Sequence, residues 1–220
     1  MLIKYFSRIT LIFVTLILCS GFRTFTPSKP WDISRSPAAK TKVFVSYPDA
    51  AEVLKNDLPS GDDLKNDTSI TIEDAMDSIF ADYNDIESAF VTLADTSDTD
   101  YAAESENREI KIEIGEAAGG STGEAKLSYS GSFASSCTIK IEASLYESAS
   151  YFIRILTHEI GHCLGLDHPH DTVNAVMSYF DDVSNSRLKI DDKMGITFLY
   201  PQDASKGAES ATFGMSCATR

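Results

Sequence analysis

Residues 158–168 read HEIGHCLGLDH and gather the side chains of this chain best suited to chemistry. On a helix, His158 and His162 lie four residues apart on one face, within a single turn, so two imidazoles can share one metal ion. Glu159 sits beside that row, where its carboxylate can reach a metal-bound water and act as its base. Gly165 allows the left-handed residue that ends a helix and turns the chain sharply. That turn can bring His168 back as a third nitrogen ligand. Three imidazoles leave one tetrahedral position open, which separates a catalytic zinc site from a closed structural one. The bland alternative is an amphipathic helix with incidental surface histidines. Three of the four histidines in the chain fall on the required offsets, which weighs heavily against it.

The string resembles the HExxHxxGxxH signature of the metzincin zinc endopeptidases. Ala175-Val176-Met177-Ser178-Tyr179 resembles their Met-turn, a tight loop whose methionine underlies the metal. Residues 191–200, DDKMGITFLY, resemble the last helix of the matrixin branch, where DDxxGIxxLY recurs, and the short gap between His168 and Met177 is also matrixin-like. His168-Pro169 and Met177-Ser178-Tyr179 are closer to the serralysin branch. The match is strong over residues 153–201 and architectural upstream.

The resemblance implies an α+β catalytic domain of the metzincin type. Its parts would be a mixed twisted sheet of some five strands, an active-site helix, a Met-turn and a carboxy-terminal helix. It implies one catalytic zinc ion held by His158, His162 and His168, with Glu159 as general base. Tyr179, two residues after Met177, is similar to a tyrosine that serralysins and astacins place near zinc, and becomes a candidate donor to the oxyanion. Protein or peptide substrates are expected, cleaved by hydrolysis. The alternative is a zinc-binding, non-proteolytic surface protein on the same scaffold, which an intact Glu159 disfavours.

The elements that must position these groups can be read from periodicity. Residues 146–163 form the active-site helix, with Phe152, Leu156, Ile160 and Leu164 as its core spine and Tyr151, Ile155, His158 and His162 on the stripe facing the cleft. Residues 188–200 carry the last helix, stopped by Pro201. Another helix starts at Thr71, with Asp74 completing a capping box, and ends near Asn84. Alternating runs at 41–47, 90–93, 108–115, 124–129 and 137–142 read as strands. By the resemblance, residues 125–129 form the upper edge of the cleft and pair with an extended peptide. The polar loop 96–107 holds Asp98, Asp100, Glu104 and Glu106, a candidate for calcium that lacks the spacing of an EF-hand loop.

Length and charge bound the remainder. One domain of ordinary size is expected from 220 residues, and the net charge of −14 argues against nucleic-acid binding, which needs a basic stripe. Lys4 and Arg8 precede an apolar run at 9–18, too short to span a membrane comfortably and typical of an export signal. The expected division is a signal at 1–21, a leader at 22–40, a catalytic domain at 41–201 and a tail at 202–220. Cys19 resembles a lipobox cysteine, although Leu18 stands where that motif prefers a small residue. Membrane attachment is expected only through such an anchor, so the protein is read as secreted or as a cell-surface lipoprotein, and as a monomer. The leader is too short for a folded prodomain. Cys137 and Cys163 read equally well as a disulfide or as two buried thiols, which leaves Cys217 odd in the tail.

Overall fold

Strand β1 (Arg23–Thr24) opens the chain as described and is followed by β2 (Thr41–Ser46), β3 (Val53–Lys55), β4 (Ser69–Thr71) and helix α1 (Ile72–Asn84). Strands β5 (Val91–Asp95), β6 (Glu109–Ile114), β7 (Gly123–Ser130) and β8 (Phe133–Ile141) precede the long helix α2 (Ala149–Cys163). The two-residue strand β9 (Leu166–Asp167) and helix α3 (Ile190–Leu199) complete the order. The structure, a computed structural model, describes residues 23–25, 29–32, 40–48, 51–65, 68–104, 108–169, 175–179 and 186–201. The signal segment with Cys19, Glu106, His170, the loop 181–185 and the tail with Cys217 lie outside them.

The architecture is α+β. A five-stranded sheet has the order β5-β2-β6-β8-β7, in which β7 alone runs antiparallel to its neighbour. Val43, Val45, Ile110, Ile112, Ile139 and Ile141 are buried in the core, as alternating strands covered by helices require. Helix α1 begins where the sequence places it. The Thr71 hydroxyl accepts the Asp74 N–H at 3.1 Å while the Asp74 carboxylate accepts the Thr71 N–H at 3.0 Å, the reciprocal bonds of a capping box. Its buried face is Ile72, Ala75, Met76, Ile79, Phe80 and Tyr83.

Several boundaries differ from the sequence reading, among them the start of β8, which lies at Phe133 rather than at residue 137. Helix α2 starts at Ala149 rather than at residue 146, because Ala143–Glu147 forms a separate 3-10 turn and Ser148 is the N-cap. Ser148 accepts the Tyr151 N–H at 3.2 Å, and Asp57 in turn accepts the Ser148 hydroxyl and the Ser150 N–H at 2.5 and 2.8 Å. Leu145 of that turn is buried in the core. Residues 53–55, outside the alternating runs read as strands, form β3, which pairs with β4 as an antiparallel hairpin. Only Leu54 of β3 is buried, so no alternation announced it.

Three long-range ties lock the end of α2. Cys137 and Cys163 form a disulfide between β8 and the last residue of the helix. Trp31, fully buried, donates its indole N–H to the Cys163 carbonyl at 2.9 Å, and the Tyr200 hydroxyl donates to the Leu164 carbonyl at 2.7 Å. These two donors satisfy carbonyls that a helix end leaves without intrahelical partners. Opening the disulfide, which spans 26 residues, should lower stability by about 3.5 kcal/mol in the chain-entropy model. Thermal unfolding of the Cys137→Ala/Cys163→Ala protein is therefore expected about 10 °C below that of the parent. An unchanged midpoint would deny the bridge its role in stability.

Candidate metal centre

Helix α2 carries His158 and His162 on its cleft face, one turn apart as their spacing demands. The helix closes with Leu164, and Gly165 follows at φ +100°, a conformation that side-chain-bearing residues rarely adopt. The chain then reverses into β9 and returns His168 to the helix. The Nε2 atom of His168 lies 3.0 Å from that of His158 and 3.2 Å from that of His162.

The opposite ring nitrogens are fixed by backbone. His158 Nδ1 lies 2.7 Å from the Val176 carbonyl and His162 Nδ1 lies 2.8 Å from the Leu166 carbonyl. A carbonyl can only accept, so each Nδ1 carries the proton and each Nε2 presents a lone pair. Burial drives His158 down to about 3, helped by the neighbouring His162, and burial also lowers His162. Both imidazoles are thereby kept neutral, the state in which they ligate metals. Two nitrogens on a tetrahedral zinc ion are about 3.3–3.4 Å apart, given Zn–N bonds of about 2.0–2.1 Å. The observed spacing and donor type fit that ion, and the three histidines form the only such group among the described residues.

Glu159 lies next to the ligand row and lines the same cleft, about 560 Å³ in volume, with the three histidines and Tyr179. Burial raises its carboxyl to about 7, against the opposing effect of the Ala125 N–H that donates to it. A dication beside it would favour the ionised form. The start of β7 presses closely here. A Cβ at Gly123 would stand 2.6 Å from Ile155 Cγ2 and 3.1 Å from Glu159 Oε1, so the strand reaches the helix only because residue 123 is glycine. The Tyr179 ring stacks on His168, with centroids 4.0 Å apart and planes 26° apart, and remains largely exposed to the cleft.

Beneath the ligands lies Met177. A Cβ at Gly161 would overlap its sulfur and approach the Tyr83 hydroxyl at 3.3 Å, so the Met-turn can sit against α2 only where the helix lacks a side chain. The turn is held from the other side by Asp192 of α3. Its buried carboxylate accepts the Val176 N–H at 2.9 Å and the Met177 N–H at 3.2 Å, and also accepts the Lys189 N–H at 2.9 Å at the start of α3. The same Val176 presents the carbonyl that orients His158, so one carboxylate connects the last helix to that imidazole. In the sequence Asp192 reads only as part of the last helix, Gly161 carries no signal, and Gly123 reads as the end of a flexible turn at 119–123, whereas it is the first residue of β7. In the acidic loop, the Lys42 ammonium binds Asp98 at 2.8 Å and Asp100 at 2.7 Å, so those carboxylates already share a cation.

A family model described as Matrixin matches residues 85–201, more than half of the chain and the part that contains the site. The chain belongs to the matrixin family. This makes the protein a member of a family of zinc metallopeptidases, and the mixed sheet, active-site helix and last helix are its matrixin catalytic domain. A solved structure titled "GM1 bound form of the ECX AB5 holotoxin" is similar at 12% identity with a TM-score of 0.46, covering 86% of this chain and 91% of that chain. No curated protein matches.

Gly161 offers a test in which two principles oppose one another. Alanine in place of an interior helix glycine ordinarily gains about 0.8–1.0 kcal/mol. At Gly161 the overlap with Met177 should reverse the sign, and Gly161→Ala is expected to lose about 1–3 kcal/mol in urea unfolding. A stabilised Gly161→Ala protein would mean that Met177 does not pack there.

Proposed function

We propose that this matrixin is an exported zinc-dependent endopeptidase in which His158, His162 and His168 hold the metal and Glu159 is the general base. The observation that carries the reading is the convergence of three Nε2 lone pairs in a cleft that also contains Glu159. When bound, zinc supplies Lewis acidity, polarising the scissile carbonyl and making water acidic enough to react near neutral pH. The residues of the chain supply the rest. The Glu159 carboxylate accepts the proton of the attacking water and passes it to the amine nitrogen as the peptide bond breaks. Burial favours proton uptake at that carboxylate, and the Ala125 N–H keeps it oriented. Strand β7 is an edge of the sheet, and its residues 123–125 line the cleft, so an extended peptide can be aligned there through backbone hydrogen bonds.

Export is supported by the charged and apolar amino-terminal pattern and by the disulfide, a bond that persists in oxidising compartments. Amino-terminal sequencing and mass measurement of the mature chain will decide whether it starts after residue 21 or at a lipidated Cys19.

Each of His158→Ala, His162→Ala and His168→Ala should lose most of the zinc measured by atomic emission, whereas Glu159→Ala should retain it. In a peptide-library digest the parent should cut and Glu159→Ala should not. A fully zinc-loaded His168→Ala protein would contradict the ligand set, and an active Glu159→Ala protein would contradict the base.

Tyr179 is assigned to the oxyanion. Its ring is anchored on His168 and borders the cleft, so its phenol can donate to the oxygen on which negative charge develops. Tyr179→Phe keeps the stacking and removes the donor. It should lower kcat by about 10²–10³ with zinc content unchanged, and an unaltered kcat would return Tyr179 to a packing role.

A further inference from the structure

Residues 22–40 read as a leader from sequence, yet parts of that segment are built into the metal centre. β1 pairs antiparallel with β9, placing Arg23 opposite Asp167 and Thr24 opposite Leu166. Among the described residues β9 has no other strand partner. The pairing continues as the Phe25 N–H donates to the Gly165 carbonyl at 3.2 Å. The Phe25 ring stacks on His162, with centroids 5.7 Å apart and planes 27° apart. Arg23 Nε lies 3.2 Å from Asp167 Oδ2, and the other oxygen of that carboxylate accepts the His168 N–H at 2.8 Å. Further along, the Trp31 N–H donates to the Tyr200 hydroxyl at 3.3 Å and its indole is sealed in the core, which anchors the segment downstream.

We propose that Arg23, Thr24 and Phe25 are positioning residues of the metal centre, forming a strand clamp that holds β9 so that His168 closes the ligand set. The proposal rests on the zinc-binding reading above. The asymmetry of the three ligands is its physical basis. His158 and His162 ride on a helix whose geometry is fixed by its own hydrogen bonds and by the disulfide. His168 lies beyond a glycine turn and directly after a strand of two residues, which is too short to hold a geometry without a partner. β1 is that partner. Phe25 acts on a second ligand directly, bracing the face of the His162 ring while the Leu166 carbonyl of β9 holds its Nδ1. The clamp thus bears on two of the three histidines without supplying a ligand. The half-exposed Arg23–Asp167 pair is its weaker part, since a solvated ion pair adds little by itself. The backbone pairing and the aromatic stack carry most of it.

Residues that orient metal ligands typically alter metal affinity by about 10–100-fold when removed. The test uses the full chain with Phe25→Ala, Arg23→Ala and their double variant. Phe25→Tyr is the conservative rescue, and Lys29→Ala is the control, a neighbouring residue that contacts the Gly131 carbonyl and the Tyr129 ring instead of the metal centre. Zinc affinity is read by competition with a chelating dye, coordination by the visible spectrum of the cobalt-substituted protein, and folding by thermal unfolding of the metal-free forms. The double variant should bind zinc about 10–100-fold more weakly and show a shifted cobalt spectrum. Phe25→Tyr should recover parental affinity and Lys29→Ala should never lose it, while the metal-free forms of all variants unfold within a few degrees of one another. Should Phe25→Ala fail to fold, Phe25→Leu keeps the apolar bulk without the stack and should show the same loss of affinity. Parental zinc affinity and cobalt spectrum in the folded double variant would overturn the clamp alone. A parent protein that takes up no zinc would overturn the metal-centre reading and the clamp with it.

Discussion

Three imidazole Nε2 atoms gathered in one cleft, that of His168 3.0 and 3.2 Å from the other two, set the terms for the rest of this structure. The far-side nitrogens of His158 and His162 donate to backbone carbonyls, so their Nε2 atoms present lone pairs toward His168. Facing acceptors repel in a low dielectric, and a cation at their centre would relieve that repulsion. The surroundings are arranged to hold the lone pairs in place. Buried carbonyls of Val176 and Leu166 choose the tautomer of His158 and His162, and burial keeps the rings neutral.

The supports converge from distant parts of the chain. Asp192 reaches from α3 to the Met-turn, whose Val176 carbonyl orients His158. The disulfide ties the residue after His162 to β8, and Trp31 and Tyr200 take up the carbonyls at the end of α2. Two glycines set how closely other elements approach that helix. Gly161 admits Met177 on one side and Gly123 admits the edge strand on the other, beside Glu159. The close-packed strand sets both the position and the direction of the Glu159 carboxylate, to which the Ala125 N–H donates.

Much of this was legible in the sequence because it is encoded locally. The HEIGHCLGLDH string fixes a helix face and a turn within one short stretch, and the histidines do meet. The Thr71–Asp74 box marked the start of α1, and strict alternation at 108–115 marked β6. What sequence reading missed lies in contacts between residues far apart. Arg23 and Asp167 pair across more than half of the chain, and neither carries a pattern that says so. Asp192 looks like any acidic residue in the first turn of a helix, where the dipole favours it. Its function appears only once the Met-turn N–H groups are seen above it. The early start given to the active-site helix has the same origin, since the Asp57 carboxylate that meets the Ser148 hydroxyl and the Ser150 N–H at the true start lies far away in sequence. The candidate calcium loop shows the reverse case. Its acids cluster in sequence, but Lys42 from a neighbouring strand meets two of them in space.

The central claim is that His158, His162 and His168 together hold one zinc ion with a position left for substrate chemistry. X-ray absorption at the zinc edge of the purified protein tests it most directly, since it reports ligand type, number and distance at once. The account predicts three imidazole nitrogens at about 2.0–2.1 Å and one further oxygen at a similar distance. A first shell containing sulfur at about 2.3 Å, or four nitrogen and sulfur ligands closing the site, would contradict it.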